Sequence, residues 1–166
     1  MPTTQPPAAQ LSKAPIVEAI IGISLMSPDE MLPQLKAINA ALPNPYPGTS
    51  EILEMQAKFE IKLESETSMS KRQVGWQFVS EDRRQAYQAR LTGFSFHRLA
   101  PYEDWDTFRT SARSLCSNYR SAVGPIPITQ FSVRYINAID LPLGEEISDY
   151  VSIYPEIPKR LPHQTL

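Results

Sequence analysis

From Met55 to Leu63 the chain reads Met-Gln-Ala-Lys-Phe-Glu-Ile-Lys-Leu, with apolar and polar residues in unbroken alternation. Successive side chains of a strand point to opposite faces. The run therefore predicts a strand with Met55, Ala57, Phe59, Ile61 and Leu63 toward a core and Gln56, Lys58, Glu60 and Lys62 toward water. One wet face implies an antiparallel sheet, because parallel strands are covered on both sides and read as continuous apolar runs. The pattern constrains architecture and leaves chemistry open.

Proline placement supports a sheet. The chain has 16 prolines against 6 glycines, grouped in the N-terminal stretch, at Pro43 to Pro47, at Pro125 to Pro127 and from Pro142 onward. None falls between Val74 and Ala100. Proline cannot donate a ladder hydrogen bond, so a proline-free stretch fits paired strands and the clusters mark connections.

Other elements follow in order. Ile16 to Leu25 is apolar on one face (Val17, Ala19, Ile21, Ile23, Leu25) and at Ile16 and Ile20 on the other, which predicts a central strand. Ser27-Pro28-Asp29-Glu30 is a helix-start signal, and Met31, Leu35, Ile38 and Leu42 recur at helical spacing, with Pro33 near the start. The alternating strand runs from about Ile52 to Glu64. A turn at Glu66 to Lys71 precedes a third strand with Val74, Trp76 and Phe78 inward, and a hairpin tip at Ser80 to Arg84 leads to a return strand, Gln85 to Leu99. Its aromatic phase slips from odd (Tyr87) to even (Phe94, Phe96) beside Thr92-Gly93, which predicts a β-bulge there. A second helix spans Asp104 to Val123, with Trp105, Phe108, Ala112, Leu115, Cys116, Tyr119 and Ala122 on one face, and Gly124-Pro125 ends it. A fifth strand, Ile128 to Ile139, presents Phe131, Val133 and Tyr135, and a short helix is expected near Glu145 to Tyr150.

The order β-α-β-β-β-α-β predicts an α+β fold of two layers: a mainly antiparallel five-stranded sheet with two helices on one face. The first and last strands are expected at the sheet centre and the hairpin Val74 to Leu99 toward an edge. Residues 1–13 read as a flexible tail, 14–140 as a single domain, and 141–166 as a Pro-rich C-terminal segment.

Composition narrows function mainly by exclusion. A net charge of −2 and a pI near 5.7 give no global attraction to nucleic acid. The lone Cys116 rules out an intramolecular disulfide and reads as a buried structural thiol on the helix face. No apolar run reaches the ~18 residues that span a bilayer, and the start lacks a secretory signal, so a cytoplasmic location without membrane contact is expected. His97 and His163 with one cysteine form no zinc spacing, no phosphate loop or nucleophile elbow is present, and no cofactor is expected.

Four residues stand out as a ligand site. Glu18 is the only charge in its strand and Arg134 sits mid-strand; on neighbouring strands they would pair across the ladder, either as architecture or, with Tyr135 and Trp76, as the lining of a pocket between helices and sheet. Lys71, Arg72, Arg83 and Arg84 form a local basic group at two turns, a weaker candidate for nucleic-acid contact because Glu81 and Asp82 interrupt it.

Three strings carry a family resemblance: Leu11-Ser-Lys-Ala-Pro-Ile-Val-Glu-Ala-Ile20, Gly93-Phe-Ser-Phe-His-Arg-Leu-Ala-Pro-Tyr-Glu-Asp-Trp105 and Arg134-Tyr-Ile-Asn-Ala-Ile139. In order, they resemble a sporadically distributed bacterial family of uncharacterised proteins. Its members share a Lys-Ala-Pro-Ile-Val-Glu-Ala-Ile-like opening, a Phe-x-Phe-x-Arg-Leu-x-Pro-Tyr-x-x-Trp segment and an Arg-Tyr-Ile-Asn-like strand. The resemblance covers about Leu11 to Pro158 and transfers no catalytic residues. It implies an accessory protein associated with mobile elements or defence, and members that continue into a further α/β portion, so that residues 141–166 would be its shortened start.

Without a catalytic constellation, and with sheet edges able to recruit strands, the sequence favours a non-enzymatic module that binds a partner protein, a second copy of the chain included. A small-molecule or nucleotide-binding module is the alternative.

Overall fold

The computed structural model describes residues 14–26, 31–60 and 66–150, with side chains at 57–60, 66–68 and 147 left aside. The order is β1 (Ile16–Leu25), α1 (Leu32–Ala40), β2 (Gly48–Glu60), β3 (Glu66–Val79), β4 (Gln85–Arg90), β5 (Gly93–Leu99), α2 (Trp105–Val123) and β6 (Ile128–Asn137), with a short 3₁₀ turn at Ile147–Asp149. The strands form one open sheet in the order β2-β3-β4-β5-β1-β6, with every neighbouring pair antiparallel. Both helices pack on one face, so the architecture is α+β as expected, with six strands described rather than five.

The additional strand comes from the expected return strand, which divides. Arg90 pairs with Gly93, so Leu91 and Thr92 form a two-residue turn, and β4 and β5 are hairpin partners instead of one bulged strand. A tight turn shifts aromatic parity as a bulge does; sequence phase alone does not separate the two. Gly93 is required by close approach. A Cβ there would lie 2.2 Å from the Ile23 carbonyl oxygen on β1.

Strand placement also differs. β1 is interior, as its doubly apolar sequence implies, but β6 is an edge strand, and the hairpins of β3, β4 and β5 fill the middle of the sheet. The connection from β5 through α2 passes over β1 before entering β6, leaving β1 between them.

Register places Trp76, Phe78, Tyr87, Ala89, Phe94, Phe96, Ala19 and Ile21 on the helix face. There they meet Leu35 and Ile38 of α1 and Phe108, Ala112, Leu115, Tyr119 and Val123 of α2. Phe78 stacks on Tyr87 at 4.7 Å between ring centroids and Phe96 on Phe108 at 5.7 Å, contacts that add to the area they bury. Tyr119 is wholly buried, and its hydroxyl donates to the Arg90 carbonyl at 2.8 Å. Burial pushes the phenols of Tyr87 and Tyr119 far above their ordinary range, so both remain neutral donors.

Each helix end has a physical cause. α1 starts at Leu32, so Pro33 falls in the first turn, where a missing N–H is harmless. The expected start signal at residues 27–30 lies outside the described residues. Asp104 caps α2 by accepting from the Thr107 N–H at 2.8 Å, and Gly124, at φ 81°, closes it.

Met55, expected inward, is 65% exposed. It shares a face with Thr49, which lies beside α1, but among the described residues no helix lies over this part of the β2–β3 hairpin. The expected orientation of Ala57, Phe59, Ile61 and Leu63 lies outside the described side chains. Lys71 belongs to β3 rather than to a turn.

Candidate functional site

Two features of the sheet have functional potential, one on each face. On the open face, β1 and β5 bring Glu18, His97 and Ser95 into line. His97 Nδ1 lies 2.7 Å from the Glu18 carboxylate and Nε2 lies 2.9 Å from Ser95 Oγ. With its proton on Nδ1, the imidazole donates to Glu18 and accepts from the serine hydroxyl. His97 is thus the cross-strand partner of Glu18, not a solvated strand histidine.

This connectivity is that of a nucleophilic relay, but the setting is not. Ser95 stands in the middle of a strand hydrogen-bonded on both edges, to β4 and to β1, so the amides around it serve the ladders and not an oxyanion. The line acts as a polar lock between two strands.

The expected Glu18–Arg134 pair does not form. The β1–β6 register puts Arg134 opposite Ile20 and Glu18 opposite Ile136, one step apart on the same face. Glu18 turns to His97 instead.

Nor do the proposed ligand residues converge. Tyr135 lies opposite Ala19, on the helix face, and its hydroxyl is 3.2 Å from that of Tyr102. Trp76 is on β3, four strand positions from β6, a separation of ~19 Å. There it anchors α1: its indole N–H donates to the Leu32 carbonyl at 3.1 Å, and the Lys36 ammonium sits 4.6 Å from its ring centre.

The basic residues are divided as well. Lys71 and Arg72 sit within β3, with Arg72 opposite Glu54, whereas Arg83 and Arg84 lie in the β3–β4 turn, ~26 Å along the strand. In that turn Asp82 accepts from Ser80 Oγ at 2.7 Å and from the Arg84 N–H at 3.0 Å, which stabilises its carboxylate and lowers its pKa. These four cations present no common surface for a phosphate backbone.

The second feature has no counterpart among the sequence motifs. On the helix face, between α2 and the β1–β6 end of the sheet, runs a groove of about 430 Å³. Its floor is Ile21, Ile23, Phe94 and Phe131; along its wall stand Trp105 and Cys116. All ten residues of β6 are exposed, including Phe131 at 63%, although Phe131, Val133 and Tyr135 point into the helix layer like the core residues of β1 beside them.

The cause is geometric. Strands lie ~4.8 Å apart and packed helices 8–10 Å apart, so each helix covers about two strands. α1 lies over β3 and β4, and α2 over β5, with β1 along the groove at its side. β6 is left bare. Its apolar alternation reads like that of a core strand; only counting strands against helices reveals the shortfall.

Cys116, read as a buried thiol, is half-buried on the groove wall. Burial raises its pKa, with Arg120 partly opposing, so it is a poor nucleophile near neutral pH. Among the described residues no acidic, histidine and cysteine cluster could hold a metal ion, and no helix is long and apolar enough to cross a membrane. Comparison with protein-family models, curated proteins and solved structures found no match.

Proposed function

We propose that this protein is a non-catalytic interaction module, of the bacterial accessory type its sequence motifs resemble, that binds a partner protein at the β1–β6 end of its sheet. One observation carries this reading: a strand that alternates like a core strand, with Phe131, Val133 and Tyr135 turned into the helix layer, is exposed along its whole length. Contiguous apolar surface of this kind marks interaction sites, and the edge of β6, unpaired among the described residues, adds backbone donors and acceptors beside it. The lock at Glu18, His97 and Ser95 belongs to the opposite face and contributes rigidity.

The test is co-expression with the products of neighbouring genes, followed by affinity capture. A stable partner should be retained by the native chain and at least tenfold less by Phe131→Glu. Phe131 is exposed and carries no core packing, so the variant should keep its melting temperature. Retention of no neighbour, or retention indifferent to Phe131→Glu, contradicts the reading.

A further inference from the structure

We infer that the groove beside α2 receives an amphipathic helix of the partner that carries acidic residues along the edge facing α2. This rests on the interaction reading above and names the chemistry of the occupant.

Shape supports a helix. The groove's floor is sheet and its wall is α2, so an occupant lies beside α2 within the helix layer, over Phe131 and Ile23. An added strand would extend the sheet past β6 and leave that floor open. The α2 residues along the groove, Trp105 to Arg120, span ~22 Å of helix axis, enough for a helix of about four turns.

Charge specifies the sign. Arg109, Arg113 and Arg120 line the wall, and among the described residues no acidic one lines the groove, in a chain whose net charge is −2. Arg109 is engaged only at the surface, by Asp106 at 3.1 Å, and Arg120 donates to the Ile126 carbonyl. Arg113 is exposed and makes no ion pair or hydrogen bond among the described residues. The cations stand at i, i+4 and i+11 on one side of α2, spaced to meet carboxylates on a neighbouring helix.

Neither described α-helix of a second copy has the acidic edge this occupant needs. α1 carries no acidic residue, and Asp106 is the only one within α2. An acidic helix of a different protein matches the arginine-lined wall better than either of them.

The probes are two synthetic peptides of about four helical turns, each with a leucine face, one flanked by glutamates and the other by lysines. Binding to the full chain is read by fluorescence anisotropy and by shielding of Cys116 from alkylation. The glutamate peptide should bind at least tenfold more tightly than the lysine peptide, weaken as salt rises, and slow Cys116 alkylation. Arg113→Glu should remove or reverse the preference.

Binding of neither peptide, equal binding of both, or a preference unmoved by Arg113→Glu overturns the inference. So does a homodimer that shields Cys116 without peptide, which would make the occupant a second copy. If Phe131→Glu still abolishes partner retention while the peptides show no preference, the interaction reading stands and only the acidic-helix assignment falls.

Discussion

Gly93→Ala should destabilise the protein by about 3 kcal/mol or more, because the clash is with backbone that cannot rotate away. A Cβ at this position would lie 2.2 Å from the Ile23 carbonyl oxygen and 3.1 Å from Ser24 Cα. Relief requires β5 to move from β1, the contact that joins the β2–β5 meander to the β1–β6 end. The measurement is urea unfolding of the variant beside the native chain. As an internal control, Gly124→Ala has open space around its Cβ and strains only a single helix cap at φ 81°, so its loss should be smaller. Equal losses would mean that the β1–β5 approach is looser than described.

Asn39→Ala should cost about 2–4 kcal/mol by the same assay, since it leaves one buried and two partly buried polar groups unpaired at once. The Asn39 amide donates to the Tyr46 carbonyl at 2.9 Å, and its oxygen accepts from the Tyr46 N–H at 2.9 Å and from the Tyr87 hydroxyl at 3.1 Å. Tyr87 is completely buried, so no water replaces the lost acceptor without opening the core. The double variant Asn39→Ala with Tyr87→Phe removes the orphaned hydroxyl. It should recover part of the loss, and full additivity of the two substitutions would dissociate Asn39 from Tyr87.

Elements with local causes were legible in the sequence. The spacing from Phe108 to Tyr119, bracketed by Asp104 and Gly124, defined α2 to within a residue. The stripe Leu35, Ile38 identified the buried face of α1, and Trp76 and Phe78 the inward face of β3, whereas Val74, also expected inward, falls at a register shift between β2 and β3 and is not part of the core. Non-local pairing was not legible. The slip of phase at Gly93 is compatible with a bulge or a turn, and only the partner across the ladder decides between them. Glu18 stands out in the sequence as the lone charge of its strand, but that its partner is His97 and not Arg134 follows only from strand order and register.

The groove was hidden for a related reason. Phe131, Val133 and Tyr135 have the pattern of buried residues, and a sequence pattern reports which face is apolar, not whether anything covers it. Trp76, proposed as a pocket residue, serves instead to hold α1 against β3.

Hydrogen–deuterium exchange of the protein, free and with its captured partner, measures the central claim most directly. Partner binding at the β1–β6 end predicts added protection in β6, Ile128–Asn137, and in α2 from Trp105 to Arg120, with β2 and the exposed half of its hairpin unchanged. Protection confined to the β2–β3 hairpin, or to the open face around His97, would place the partner elsewhere and contradict the account.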